Sequence, residues 1–376
     1  MKVAVIYHQF PHYRAPILKK LATSERYEYE FWASTSDFFG IKAFKGDETV
    51  RIQELRVSIS KNGFRVNGYA SLLRNPSIGA FLIIGNPNIF ATWVLAILGR
   101  LQGKKIFFWT HGWLQSEPFP KSLIRYLYYR LSHTLLVYGE RSKRMGEHLG
   151  FPPHKIRVIY NSLDFEYCNT ILQKLETDTL SQSTKCMFEH TDRPLIICTA
   201  RLTNLCRFDL LIDAANILKR RNFDINVLLV GDGPERNALE EHALSLSVDV
   251  KFFGSCYDEQ SLAKMIYDAD ATVSPGKIGL AAIHSLSYGT PAFTHSDLDN
   301  QMPEVEVILP GQTGDLFKSG DATDLANTLQ RWLQSGQNRQ EVRSRCIAAI
   351  ANKWTPENQR RCIEAALDTC ILKSTP

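Results

Sequence analysis

Residues 274–291, SPGKIGLAAIHSLSYGTP, combine types and spacings suited to holding a phosphate or a diphosphate. Residues 271–273 read as the end of a buried strand and 274–278 as a tight loop. Residues 280–288 read as a helix opened by Gly279 and stopped at Gly289, with Pro291 two positions on. A helix that starts at a strand end offers free backbone N–H groups and the positive end of its dipole to an anion, and Lys277 adds a charge beside them. Many such turns hold no ligand and carry glycine for packing alone, so the decision falls to the rest of the chain.

Two further clusters sit in the first half. Residues 105–109 read as a strand, His111 follows directly and Gly112 frees the backbone to turn, which sets the imidazole at a strand end facing a cleft. A histidine merely hydrogen-bonded at a strand end fits the same residues. The opening βα unit has a strand at 3–7 and a helix at 16–22, and its glycine-free loop carries His8, His12, Tyr13 and Arg14. A polar surface loop is the alternative reading of these side chains.

Positioning such residues requires parallel sheets. Strand-like runs at 29–33, 81–84, 105–109, 134–138 and 155–160 alternate with helical stretches, and a second series starts at Pro194. That series has strands at 195–198, 226–230 and 250–253, helices at 207–220, 235–246 and 260–269, and the turn Gly231-Asp232-Gly233-Pro234. Between the series, residues 170–193 lose periodicity and gain polar residues. The expected organisation is an N-terminal Rossmann-like domain over 1–168, a linker over 169–193 and a C-terminal Rossmann-like domain over 194–354. A final helix over 355–376 is expected to pack back on the N-terminal domain. A chain of 376 residues suits two such domains.

Charge is divided unequally: residues 1–170 hold 23 Lys and Arg against 12 Asp and Glu, whereas the remainder hold 21 against 27. A basic first half suits an anionic partner. Nucleic acid is disfavoured because no binding module or basic run accompanies the charge. Residues 121–132 read as a helix with Ile124, Leu127 and Leu131 on one face, Lys121 and Arg125 on another, and Tyr126, Tyr128 and Tyr129 interleaved. Such a helix suits lipid headgroups, and it equally suits a sheet surface. The eight cysteines form no C-x-x-C pair, so neither a zinc site nor a disulfide framework is indicated, and no Asp and His cluster marks a metal. The N-terminal apolar run is too short for a signal-peptide core, and the apolar stretch 78–99 is broken by Gly85-Asn86-Pro87-Asn88. A cytoplasmic protein, peripheral at the inner membrane face, is the expectation.

In order along the chain, His111, VIYNSLD (158–164), ARL (200–202), LLVGDGPER (228–236), FFG (252–254), SPGKIGLAAIHSLSYGTP (274–291) and GQTGDLF (311–317) resemble motifs of the retaining nucleotide-sugar glycosyltransferases of family 4. The resemblance covers most of the chain from about residue 105. It implies the GT-B fold, an α/β architecture of two Rossmann-like doubly wound parallel-sheet domains with an interdomain cleft. It also implies a hexosyl-type transfer from a UDP- or GDP-linked sugar to a carbohydrate or lipid-linked acceptor, metal-independent and without any other cofactor, in surface polysaccharide or glycolipid assembly. An anionic membrane surface is the further expected partner.

Three positions depart from the family pattern. Its two helix-start glutamates, eight apart, fall on Gly276 and His284, and its lysine five residues after the arginine falls on Cys206, while Arg201 is kept. In the family the first glutamate touches hydroxyls of the donor sugar, the second the nucleotide ribose and the lysine the diphosphate. Transfer develops negative charge on the departing phosphate, so cations and backbone amides placed there lower the barrier. The resemblance therefore implies Arg201 and Lys277 at the diphosphate, with Arg207 as another source of the charge missing at Cys206. Gly231, Gly233, Gly254, Gly276, Ile278, Gly279 and Leu280 are implied to line the donor site, and His284 to take the ribose. His111 is implied to orient the donor sugar or acceptor. Loss of the glutamates and lysine equally suits a degenerate relative that binds or assembles without catalysis.

Overall fold

The computed structural model describes residues 1–38, 40–60, 63–177 and 182–371. The chain divides into two compact units, Met1–Asp164 with Trp354–Pro376, and Phe165–Lys353.

In the first unit, β1 (Lys2–Gln9), α1 (Ala15–Ala22), β2 (Glu28–Ser34) and β3 (Ile52–Glu54) precede a two-stranded antiparallel ribbon of β4 (Arg56–Ser60) and β5 (Gly63–Asn67). There follow α2 (Tyr69–Arg74), β6 (Ile78–Ile84), α3 (Phe90–Leu101), β7 (Lys105–Thr110), α4 (Phe119–Arg130), β8 (Thr134–Val137), α5 (Glu140–His148) and β9 (Ile156–Val158). The seven-stranded sheet runs β3-β2-β1-β6-β7-β8-β9, and the pairings recorded within it are parallel. Central strands such as β1 and β7 are apolar on both faces because helices cover both, with Val3, Val5, Tyr7 and Phe107 in one core layer and Ala4, Ile6, Phe81 and Phe108 in the other. Strand order reverses between β1 and β6, the crevice where sheets of this kind bind ligands.

The second unit begins with α6 (Phe165–Thr177) and continues with β10 (Leu195–Thr199), α7 (Phe208–Arg220), β11 (Asn226–Val230), α8 (Arg236–Ser245), β12 (Val250–Gly254) and α9 (Glu259–Asp268). Next come β13 (Ala271–Ser274), α10 (Leu280–Ser287), β14 (Ala292–His295), β15 (Gly314–Phe317), α11 (Ala322–Leu333) and α12 (Arg339–Lys353). Its six strands run β12-β11-β10-β13-β14-β15 in parallel, with the reversal between β10 and β13.

Residues 169–177 correct the expected linker. They belong to α6, whose Cys168, Ile171 and Leu172 are buried in a core layer of the second unit. Three apolar positions spaced i, i+3, i+4 suffice to dock a helix whose remaining faces are polar. Of the rest of that stretch, residues 178–181 lie outside the described residues.

The last helix, α13 (Pro356–Ile371), belongs to the first unit, where Ile363, Ala366 and Leu367 enter the core. Residues 372–376 of the expected 355–376 helix lie outside the described residues. The VIYNSLD segment receives this helix: Gln359 donates through Nε2 to the carbonyl of Tyr160 (2.6 Å) and accepts from Ser162 Oγ (2.8 Å). Glu364, buried, takes Ser24 Oγ (2.5 Å) and Arg360 (2.8 Å).

Helix α4 packs on its sheet through its tyrosines, one of the two arrangements its sequence suits. Tyr128 and Tyr129 are buried, as is Trp113, which packs edge-on to Tyr129 at 4.9 Å. Arg125 forks onto Glu117 (2.6 and 2.8 Å) and Lys121 shares the same carboxylate (3.1 Å), so the two cations together keep one net positive charge. Beside Lys121 and Arg130, α4 exposes four large apolar side chains: Phe119 (79% exposed), Leu123, Ile124 and Leu127. Helix α3, joined to α4 through the Trp93–Tyr128 ring contact (4.8 Å), exposes Phe90 (75%), Val94, Ile97, Leu98 and Leu101 (79%). The pattern i, i+4, i+8 on both helices puts these residues in stripes. Among the described residues no helix is long and apolar enough to cross a membrane.

Candidate functional site

In the first unit, His111 lies one residue past the end of β7. Gly112 has φ +69°, and a Cβ there would stand well inside contact distance of Ser142 Oγ, so both the turn and the close approach require glycine. Ser142 Oγ donates to the His111 carbonyl (2.8 Å) and accepts from the Trp113 N–H (3.0 Å), while Thr110 Oγ1 accepts from the Gly112 N–H (3.1 Å). The backbone that carries the imidazole is thus fixed at three consecutive residues. The ring stands edge-on to Tyr138 at 4.9 Å. Burial, with the nearby Arg14 charge second, pushes its pKa down to about 4. A neutral imidazole of so low a basicity at neutral pH orients a hydroxyl better than it removes a proton.

In the second unit, the loops after β10 and β13 flank the strand reversal. The first is braced by the glycine turn after β11. Leu202 N–H donates to Asp232 O (3.1 Å), Glu235 N–H donates to Leu202 O (3.2 Å), and Gly231 N–H donates to Gly254 O (2.8 Å). A Cβ on Gly231 or on Gly233 would collide with the carbonyls of Ala200 and Leu202 respectively. Gly231 and Gly233 therefore serve by letting the backbone of 200–202 lie against them, and Arg201 projects, exposed, from that braced segment. Gly254, at φ +88°, closes the same arrangement. Arg207 is placed differently: its guanidinium makes hydrogen bonds of 2.9–3.2 Å to Asp209, which compensates its charge locally. It holds φ +52°, a left-handed conformation that costs an arginine more than a glycine.

The loop after β13 is clamped from below. Gln301, buried, accepts the Ile278 N–H on Oε1 (2.9 Å) and donates through Nε2 to Thr294 Oγ1 (2.8 Å) and His295 O (3.1 Å). Thr294 Oγ1 in turn donates to the carbonyls of Ser274 (2.8 Å) and Gly276 (3.1 Å). Ile278 is buried beneath this loop, Lys277 is exposed on it, and Leu280 opens α10 behind Gly279, whose side carries no cap. The uncapped first turn leaves amides for an anion, and Lys277 stands next to them.

Gly276 is closed to any side chain. A Cβ there would overlap the Leu205 carbonyl oxygen and stand 3.0 Å from Cys206 Cα, and its N–H donates to the Cys206 carbonyl (3.0 Å). Two of the three departures from the family pattern, Gly276 and Cys206, are therefore in direct contact.

His284 is engaged within its own unit. Its Nε2 lies 2.7 Å from Glu259 Oε1, which also accepts from Tyr288 Oη (2.6 Å). Burial works against the Glu259 carboxylate, but its hydrogen bonds with His284 and Tyr288 outweigh it and hold the pKa below the usual range. A carboxylate thus stands beside the position where the family carries one on the helix, supplied from α9. Sequence reading missed Glu259, Gln301 and Thr294, because each acts through contacts made only by folding.

The two parallel sheets and their order define the GT-B class of fold, and residues 186–352 match the family described as Glycosyl transferases group 1. Over 101 residues the chain is 36% identical to the GDP-mannose-dependent alpha-(1-6)-phosphatidylinositol dimannoside mannosyltransferase of Mycobacterium tuberculosis. That match spans 26% of this chain and 26% of that protein, about a quarter of each. In fold it is similar to Anabaena Alr3699/HepE in complex with UDP, at TM-score 0.72 and 16% identity over 98% of this chain and 100% of that one. The lipopolysaccharide outer core galactosyltransferase WaaB superposes at TM-score 0.70 and 16% identity (99% and 100% covered). The sucrose-phosphate synthase of Thermosynechococcus elongatus does so at 0.71 and 14% (100% and 100%). The chain has the GT-B fold, and the part of it that matches the group 1 glycosyl transferase model lies in the second unit.

Proposed function

We propose that the chain is a nucleotide-sugar-dependent hexosyltransferase that retains anomeric configuration and acts on a carbohydrate or lipid-linked acceptor in polysaccharide or glycolipid assembly. The observation that carries this reading is the clamped loop after β13, with Lys277 and the uncapped start of α10 on one side of the strand reversal and the braced Arg201 on the other. The complexes of Alr3699/HepE with UDP and UDP-glucose, and the GDP-mannose dependence of the mycobacterial relative, support a nucleoside diphosphate donor. In the reaction the bond from the anomeric carbon to the diphosphate oxygen breaks, the acceptor hydroxyl oxygen bonds to that carbon, and its proton passes to the departing phosphate. Arg201, Lys277 and the α10 amides take up the charge that develops there. In this reading His284, hydrogen-bonded to Glu259, meets the nucleotide ribose, with the Glu259 carboxylate as a further acceptor beside it.

One observation favours a second reading, a binding or assembly subunit without catalysis: the position of the sugar-binding glutamate is a glycine with no room for a side chain. Incubation of the purified protein with UDP- and GDP-linked hexoses separates the two. Slow donor hydrolysis together with nucleotide binding is expected; nucleotide binding without hydrolysis or transfer across the panel would establish the second.

We further propose that the stripes on α3 and α4 rest on an anionic bilayer. Nine exposed large apolar side chains on two adjoining helices form more apolar surface than scattered surface residues would, and the first half of the chain is basic. Liposomes containing anionic lipid should co-sediment the parent protein, and the double substitution Phe119→Ser/Ile124→Ser should release at least half of it. Lys121→Glu should matter less, since Lys121 is already paired with Glu117. Equal sedimentation of parent and Phe119→Ser/Ile124→Ser would exclude this face.

A further inference from the structure

Arg14 closes a short 3-10 turn, His12–Arg14, after β1 and folds its side chain inward, leaving the residue 9% exposed. Its guanidinium carbon lies 5.1 Å from the Tyr7 ring, 4.9 Å from Trp109 and 5.5 Å from Tyr138, and Nη2 donates to Tyr138 Oη. These rings belong to β1, β7 and the residue after β8, so the cation spans the carboxyl edge of the sheet beside the strand reversal.

Two features distinguish it from a structural arginine. No carboxylate pairs with it among the described residues, and Nη1 is buried without a hydrogen-bond partner. Aromatic faces attract a cation but do not neutralise it, and a planar fork with an unused edge is the group best matched to a carboxylate or phosphate. The other titratable neighbours that face it are His8, His111, Tyr7, Tyr13 and Tyr138. Burial, with the Arg14 charge second, pushes both histidines down to about 4, and burial pushes the Tyr7 hydroxyl up. They supply polar contacts without competing charge.

We propose that Arg14 is an oxyanion anchor, taking a phosphoryl or carboxylate group of the acceptor and so holding it next to His111. That the oxyanion belongs to an acceptor rests on the glycosyltransferase reading; the oxyanion site itself does not.

The test is thermal unfolding and calorimetry of the full chain held in saturating UDP or GDP, so that the nucleotide site is filled, with inorganic phosphate and glucuronate as separate probes. The parent is expected to gain at least 3 °C with one or both probes, phosphate alone marking a phosphoryl source and glucuronate alone a carboxylate one. Arg14→Met should lose at least nine-tenths of the affinity, keep or raise the probe-free melting temperature, and bind nucleotide like the parent; Arg14→Lys should retain a weakened response. A parent that answers neither probe, an Arg14→Met that answers like the parent, or an Arg14→Met melting more than 5 °C lower without probe would overturn the proposal. Failure of the parent to bind UDP and GDP would overturn the donor reading instead, while calorimetry with the two probes alone still reports on Arg14.

Discussion

Arg201→Ala is expected to lower nucleotide affinity by about 10- to 100-fold and transfer by at least as much. The side chain projects from a backbone segment braced by Asp232, Glu235 and the two glycines, so the charge is delivered from a rigid support. One charge-assisted hydrogen bond to a phosphate contributes roughly 1.5–3 kcal/mol, which sets that range. With Cys206 in place of the family's lysine and Arg207 compensated by Asp209, Arg201 has fewer cations to share the load. Lys277→Ala, on an exposed side chain, should cost less. Calorimetry with UDP and GDP checks both, and unchanged affinity in both variants would mean that the diphosphate binds elsewhere.

Gly276→Glu, which restores the family's residue, should be destabilising and should bring no gain in activity. The obstruction is backbone, at the Leu205 carbonyl and Cys206 Cα, and cannot rotate aside. Either the 204–206 turn or the loop after β13 has to move, which breaks the bond from Gly276 N–H to Cys206 O and strains the Gln301 clamp. Overpacking of this kind costs about 1–3 kcal/mol, and for a domain of this size each kcal/mol lowers Tm by about 2–4 °C. A drop of roughly 3–10 °C in the second unit's melting transition is expected, already present in Gly276→Ala. Adding Cys206→Lys should not restore it, because the obstructing atoms are main chain. An unchanged melting temperature in Gly276→Ala would show that the two loops do not touch.

Much of the architecture was legible because parallel strands buried on both faces leave short apolar runs separated by helices. The strand at 226–230 and the helix starting at Leu280 read directly from that pattern. The short edge strand Ile52–Glu54 and the ribbon strands Arg56–Ser60 and Gly63–Asn67 did not, since each has five residues or fewer and is rich in polar ones. At the candidate site, motif spacing located the loops but not their supports. Gln301 and Thr294 look like ordinary polar residues until folding places them under residues 274–278. On α4 the sequence named Ile124 and Leu127, which the fold exposes, together with Tyr128 and Tyr129, which it buries, and it gave no weight to α3, whose exposed stripe depends on which face the sheet leaves uncovered.

The placement of α13 sets an order of events during synthesis. The second unit is one continuous segment, Phe165–Lys353, and can close once its last helix has left the ribosome. The first unit cannot, because Ile363, Ala366 and Leu367 complete its core and Gln359 ties down Tyr160 and Ser162. At about 5–20 residues per second, the ribosome needs on the order of ten to forty seconds to travel from the end of the first segment to that helix. Through this interval the N-terminal sheet waits with one face unsealed, so the half of the chain made first is the half finished last.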